Sequence, residues 1–121
     1  MPFTNADLEL IDRTKEVDVE TSTVGGPAHR TTVWVVADGG DVFVRSAYGP
    51  DARWYREATS NPEVTLWVAG RPFHAHVSQV TAPDEIARMS AGLERKYAGD
   101  PAVGQMNRAE LLPLTLRLDP A

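Results

Sequence analysis

Residues 42–68 read VFVRSAYGPDARWYREATSNPEVTLWV, and the reading of this stretch decides the fold. It opens as a strand, where side chains alternate between faces: Val42 and Val44 share one with Ser46, and Phe43 and Arg45 take the other. Gly49-Pro50 breaks the strand, and Asp51 is a candidate cap for a short helix over 52–60 with Trp54, Tyr55 and Ala58 on its inner face. Asn61-Pro62 ends that helix, and residues 64–69 resume as a strand.

Upstream, residues 30–37 (RTTVWVVA) are apolar on both faces, which marks a central strand. Asp38-Gly39-Gly40-Asp41 joins it to the strand at 42 as a tight hairpin, since glycine accepts positive φ. Residues 16–24 alternate Val17, Val19, Thr21 and Thr23 against Asp18, Glu20 and Ser22, a half-buried strand closed by the turn Gly25-Gly26-Pro27. Before it, residues 6–15 form a helix capped by Thr4 or Asn5, with Leu8 and Ile11 on an apolar edge that covers an open sheet end. Downstream, Gly70-Arg71 turns the chain into a strand over 72–81. The run Thr81-Ala82-Pro83-Asp84 has the form of a capping box with an early proline. It starts a helix that Gly99 ends, with Ile86, Met89, Ser90, Leu93 and Tyr97 as its buried stripe. Residues 100–109 read as loop or weak helix, and the alternating Leu112, Leu114, Leu116 and Leu118 read as a last strand. The result is a mainly β, single domain over 1–121. About six antiparallel strands form a small barrel with two or three short helices, which leaves no exposed sheet edge.

A chain of 121 residues has room for one core. Its net charge of −5 disfavours nucleic-acid binding, which needs a basic face. Without cysteine it has no disulfide, thiolate nucleophile or ordinary structural zinc site. No signal sequence or membrane-length apolar run is apparent, so a cytoplasmic location is the expectation.

Three groups of residues could carry chemistry. Arg45, Ser46, Gly49 and Arg53, followed by a helix start, offer forked donors, a hydroxyl, close backbone approach and a positive helix end to an anion. From spacing alone, a surface loop with its arginines paired to Asp51 and Glu57 explains them slightly better. Among the aromatics Trp34, Tyr48, Trp54, Tyr55 and Trp67, core packing accounts best for Trp54 and Trp67. Tyr48 lies in a glycine-flanked loop, where a phenol can orient a ligand or give a proton. His74 and His76 share a strand face, but two imidazoles do not close a metal site, and a polar sheet face is the better reading. No nucleophile elbow, P-loop, dinucleotide fingerprint or HExxH is present.

The run Ser46-x-x-Gly49, then Trp54-Tyr55, then Asn61-Pro62-x-Val64 resembles the motif of the deazaflavin-dependent nitroreductases, within the split-barrel superfamily of pyridoxamine 5′-phosphate oxidase. Residues 31–36 (TTVWVV), 41–46 (DVFVRS) and Lys96-Tyr97 are closer to a small uncharacterised branch of that superfamily. The resemblance covers roughly residues 16–118. It implies a six-stranded split barrel, a homodimer, and FMN or the 8-hydroxy-5-deazaflavin coenzyme between subunits, with hydride passed to a small acceptor. It also implies that Arg45, Ser46, Gly49 and Arg53 line the cofactor phosphate, that Thr31, Thr32 and Val33 run beside the ring, and that Trp54 joins the cofactor-binding set. This favours the anion-binding reading of the loop. Tyr48-Gly49 replaces the Gly-Gly of the nitroreductases, Thr31-Thr32 the Thr-Pro of the small branch, and Glu57-Ala58 the usual Asn-Leu. Flavin and deazaflavin both stay open, as does a non-catalytic module for a planar ligand.

Overall fold

The computed structural model describes residues 3–121. Six strands run antiparallel and close on themselves: β1 (Glu16–Thr21), β2 (His29–Asp38), β3 (Asp41–Arg45), β4 (Glu63–Val68), β5 (Arg71–Gln79) and β6 (Thr115–Pro120). Around the barrel the order is β1-β2-β3-β6-β5-β4, with β4 pairing back onto β1. The helices are α1 (Asn5–Arg13), α2 (Arg53–Ser60), α3 (Pro83–Lys96) and α4 (Ala102–Met106), followed by a 3-10 turn over Ala109–Leu114. Among the described residues, five helical segments therefore stand where two or three were expected.

Period-two alternation sorts the strand side chains into two cores. Val17, Val19, Val35, Val44 and Leu66 point inward, and Ile11 of α1 joins them. Val36 and Phe43 point outward and are covered by Met89, Leu93 and Tyr97 of α3. The two-sided apolar character of β2 follows from this, because it has barrel interior on one face and α3 on the other. The approach of α3 is close: a Cβ on Gly92 would run into the Val36 side chain. Tyr97 then locks the helix end, accepting from the Val35 amide at 3.0 Å and donating to the Lys15 carbonyl at 2.6 Å. Lys96 Nζ donates to the carbonyls of Ile11 and Val35, tying α3 to α1 and β2.

Thr4 caps α1 in a full capping box with Asp7. The other two expected caps are absent. Helix α2 starts after Ala52 and α3 after Ala82, neither with a side-chain cap bond, so Asp51 and Thr81 fall one residue too early. Pro83 occupies the first turn of α3, where its missing N–H costs nothing. The final strand starts later than the leucine pattern suggested. Leu111 and Leu114 are buried three apart on the 3-10 turn, and only from Thr115 does period two take over.

Two hairpins use paired positive φ. Gly39 and Gly40 (58° and 88°) join β2 to β3, and Ala69 and Gly70 (51° and 82°) join β4 to β5. Alanine in that left-handed region is strained by its Cβ. Replacing Ala69 with Asn, which tolerates the conformation, should stabilise the fold by about 0.5–1 kcal/mol. Urea unfolding checks this, and an unchanged or lower midpoint would count against the turn assignment.

Candidate functional site

Where β3 runs out, the chain turns through residues 46–52 and leaves a cleft of about 260 Å³ against β2, α2 and α4. One wall is β2, with Thr31, Thr32, Val33 and Trp34. The opposite wall has Ala47 and Tyr48 from the turn and Trp54 from α2, and Ala102 and Met106 of α4 close one side. Glu16 of β1 stands at the exposed edge, and Arg45 lies in the wall.

The cleft is aromatic on several sides. Trp34 stacks flat on Tyr97, with ring centroids 4.0 Å apart and planes within 6°, so a buried ring backs and fixes it. Trp54 is held edge-on by Tyr55 at 6.0 Å and 87°. Tyr48 is 88% exposed and carries its phenol at the mouth. Thr32 Oγ1 donates to Asp18 at 2.8 Å, which directs its hydroxyl across to the neighbouring strand β1. Planar π faces with a few hydroxyls form a surface onto which a flat heteroaromatic ring stacks. Trp67, by contrast, is not a core residue. It lies half-buried on the outer barrel face, donating to Glu20 at 3.0 Å under the guanidinium of Arg30.

Arg45 does not extend into the cleft. It is 1% exposed and uses its five N–H groups internally. Nε donates to Thr115 Oγ1, one terminal nitrogen to Met106 O and Asn107 Oδ1, and the other to Ile86 O and Ser90 Oγ. A phosphate would have to displace some of these bonds to touch it. Ser46 is likewise engaged, its Oγ donating to the Gly49 carbonyl at 2.7 Å to shape the turn, where Gly49 has φ 90°. Ser46 and Gly49 set the loop rather than line the cleft.

Arg53 is next to Trp54 in sequence but faces a separate hollow of about 390 Å³, shared with Thr23, Arg56, Glu57, Thr59 and Ser60. There Glu57 is buried, accepting from Thr21 at 2.9 Å with His29 Nδ1 3.3 Å away. Burial raises its carboxyl, but the bonds from Thr21 and His29 and the charges of His29 and Arg53 outweigh that and hold it below the ordinary value. This trio was not apparent in the sequence, since Thr21 and His29 lie 36 and 28 positions from Glu57.

A larger hollow, about 910 Å³, is an open apolar groove between α3 and the 3-10 turn. It gathers little chemistry, with Thr81, Ser90 and Glu94 as its polar side chains. His74 and His76 point outward, His74 beside Thr65 and His76 2.7 Å from Glu63 across the strand pair. Among the described residues, no group of three or more His, Asp or Glu side chains could hold a metal. Nor, among the described residues, is any helix long and apolar enough to cross a membrane.

Comparison with known proteins agrees with this architecture. The model of the family described as "Uncharacterized protein conserved in bacteria (DUF2255)" matches residues 7–118, and the chain belongs to that family. No curated protein matches. Among solved structures the chain is similar to HutZ, the heme storage protein of Vibrio cholerae, at 19% identity and TM-score 0.73, covering 100% of this chain and 92% of that one. It is also similar to an F420-H2-dependent reductase, FDR-A, at 14% identity and TM-score 0.68, covering 86% and 93%. A pyridoxamine 5′-phosphate oxidase-like protein of Listeria innocua aligns at 12% identity and TM-score 0.69, covering 93% and 89%. At these identities the likeness is one of fold, and that fold is the split barrel.

The Glu57 arrangement has a consequence for acid stability. A carboxyl held below its ordinary value of 4.5 contributes stability that is complete above that value and lost as pH falls through the lower folded value. Thr21→Val removes one of the bonds responsible. Acid unfolding followed by circular dichroism should then begin at higher pH than in the parent protein, and a superimposable acid limb would refute the assignment.

Proposed function

We propose that this protein binds a flavin-type planar cofactor, FMN or the 8-hydroxy-5-deazaflavin coenzyme, in the cleft between Trp34, Tyr48 and Trp54, and passes hydride between it and a small acceptor. The observation that carries this reading is convergence. Thr31, Thr32 and Val33 from one strand and Tyr48 and Trp54 from beyond the next line a single concavity with aromatic walls. The names of two similar structures, a heme storage protein and an F420-H2-dependent reductase, support a planar ligand as the general class. No histidine lines the cleft, so it offers no imidazole to a haem iron, which favours the flavin side of that choice.

The residues fit such a ring. Trp34, immobilised by Tyr97, gives a rigid stacking face, and Trp54, itself buried with the barrel core, backs the lining beside it. Thr32, on the same face of β2 as Trp34, offers its hydroxyl oxygen as an acceptor to a ring edge, its proton going to Asp18. Arg53, the first residue of α2, with Arg56 beside it, is the residue for a phosphate tail. Arg45, Ser46 and Gly49 serve the same site by fixing the wall and turn from which Tyr48 projects. The cofactor, once bound, supplies the hydride chemistry, and the protein's part is to orient it, exclude water and hold a proton at the Tyr48 hydroxyl. At about 260 Å³ the cleft is smaller than the roughly 300–1,000 Å³ of complete ligand sites. A second copy of the chain therefore completes it, in a homodimer. A second reading, a non-catalytic binding module, draws on the exposure of Tyr48, the proton donor offered here, which is 88% open to water.

Titration with FMN, riboflavin and the deazaflavin coenzyme, read by absorbance and fluorescence, tests the proposal. Trp34→Ala should weaken ring binding by roughly tenfold through the lost stacking face. Arg53→Ala should weaken FMN while leaving riboflavin, which lacks the phosphate, unchanged. Equal affinity in parent and variants rejects the site. Tight binding without turnover of nitro, quinone or enone acceptors supports the non-catalytic module.

A further inference from the structure

Arg45 differs from the other multiply bonded arginines. Arg88 is neutralised by Asp38 and Asp41, and Arg117 by Glu85 and Asp119. The five acceptors around Arg45 are two carbonyls, two hydroxyls and one amide, all neutral. Burial lowers its ionisation to about 10, and no acidic side chain offsets the effect, so at neutral pH it remains a cation without a counter-ion. Buried charges are ordinarily paired, because neutral dipoles replace hydration only in part.

The position of this charge matters as much as its isolation. Arg45 lies in the wall of the cleft, behind the surface shared with Trp34, Tyr48 and Trp54. Its field there passes through low-dielectric protein and is weakly screened. Glu16, the one acid in the lining, is exposed at the edge, where solvent screens it, and Tyr48 is the remaining titratable lining group. On the planar-ligand reading above, we propose that the ligand brings the missing negative charge: the cleft selects a flat ring ionised at a ring N–H or O–H, with the negative charge delocalised over the ring facing Arg45. The ligand class is thereby narrowed from planar heteroaromatics to acidic ones. Arg45 becomes a residue that sets ligand charge without touching the ligand.

The test uses two neutral-tailed rings, 8-hydroxy-5-deazariboflavin, whose ring hydroxyl titrates with a colour change, and 5-deazariboflavin, which lacks it. Bound to the parent protein, the hydroxyl should ionise about one pH unit lower than free in solution, equivalent to roughly tenfold tighter binding of the anion. Asn107→Asp puts a carboxylate where the amide oxygen now accepts from Arg45 at 3.0 Å, at the loss of one bond to the Ser90 carbonyl. It should abolish the shift, leave 5-deazariboflavin affinity within twofold, and keep or raise the melting temperature. Ser90→Asp, which brings a carboxylate to the other terminal nitrogen, is the second variant and should act the same way. An unshifted or upward-shifted ionisation in the parent overturns the proposal, as does a shift that survives in both variants. Failure of the parent to bind either ring rejects the planar-ligand reading itself, and this inference with it.

Discussion

The guanidinium of Arg45 is the constraint on which the rest of the structure depends. From the end of β3 it reaches β6 through Thr115, α3 through Ile86 and Ser90, and the end of α4 through Met106 and Asn107. These elements share no sheet hydrogen bonds other than the β3–β6 ladder. A buried cation held by neutral groups is expensive to desolvate, and removing any acceptor leaves a polar group unpaired. The arrangement is consequently all-or-none, and among the described residues no buried side-chain polar atom lacks a partner. Both the cleft and the apolar groove are built against the frame it sets, since Arg45 lines the first and its acceptors Ile86 and Ser90 line the second.

Helix α2 divides the chemistry of the region in two. Successive residues on a helix point about 100° apart. Trp54 therefore faces the cleft, while Arg53, one position earlier, faces the hollow with Arg56 and Glu57. Residues that look like one cluster in the sequence become an aromatic compartment and a charged one, with the helix between them. A ligand with a flat head and an anionic tail matches such a partition when it lies across the start of α2.

What could be read from the sequence was what local pattern controls. The hairpins, the inward and outward faces of β2 and β3, and the stripe on α3 all follow from periods of two and 3.6. Caps were less legible because residue type is not enough. Asp51 and Thr81 have suitable side chains but lie one position too early to reach the helix amides. The leucine run from 112 misled for a related reason, since a 3-10 turn buries Leu111 and Leu114 at spacing three before the strand begins. In the site, Thr31–Val33 and the 45–54 loop were accessible because they are contiguous. Glu16, Ala102 and Met106 reach the cleft only through closure of the barrel and the placement of a five-residue helix too short to announce itself. The role of Arg45 was hidden because its partners lie 41 to 70 positions away.

The ring of strands is not equally stitched. The β1–β2 and β4–β5 ladders each register six residue pairs, whereas the closing ladder between β1 and β4 registers three: Asp18 with Trp67, Val19 with Leu66, and Glu20 with Thr65. It also joins segments more than forty residues apart, so its formation carries a larger loop-closure entropy than any hairpin in the sheet. The β3–β6 ladder, with four pairs whose partners lie still further apart in the chain, carries the same burden, so the cylinder closes through more than one long-range seam. The long-range ladders therefore form only once the hairpins have brought their strands together, and the chain passes through an open, curled sheet of hairpins before it becomes a closed one.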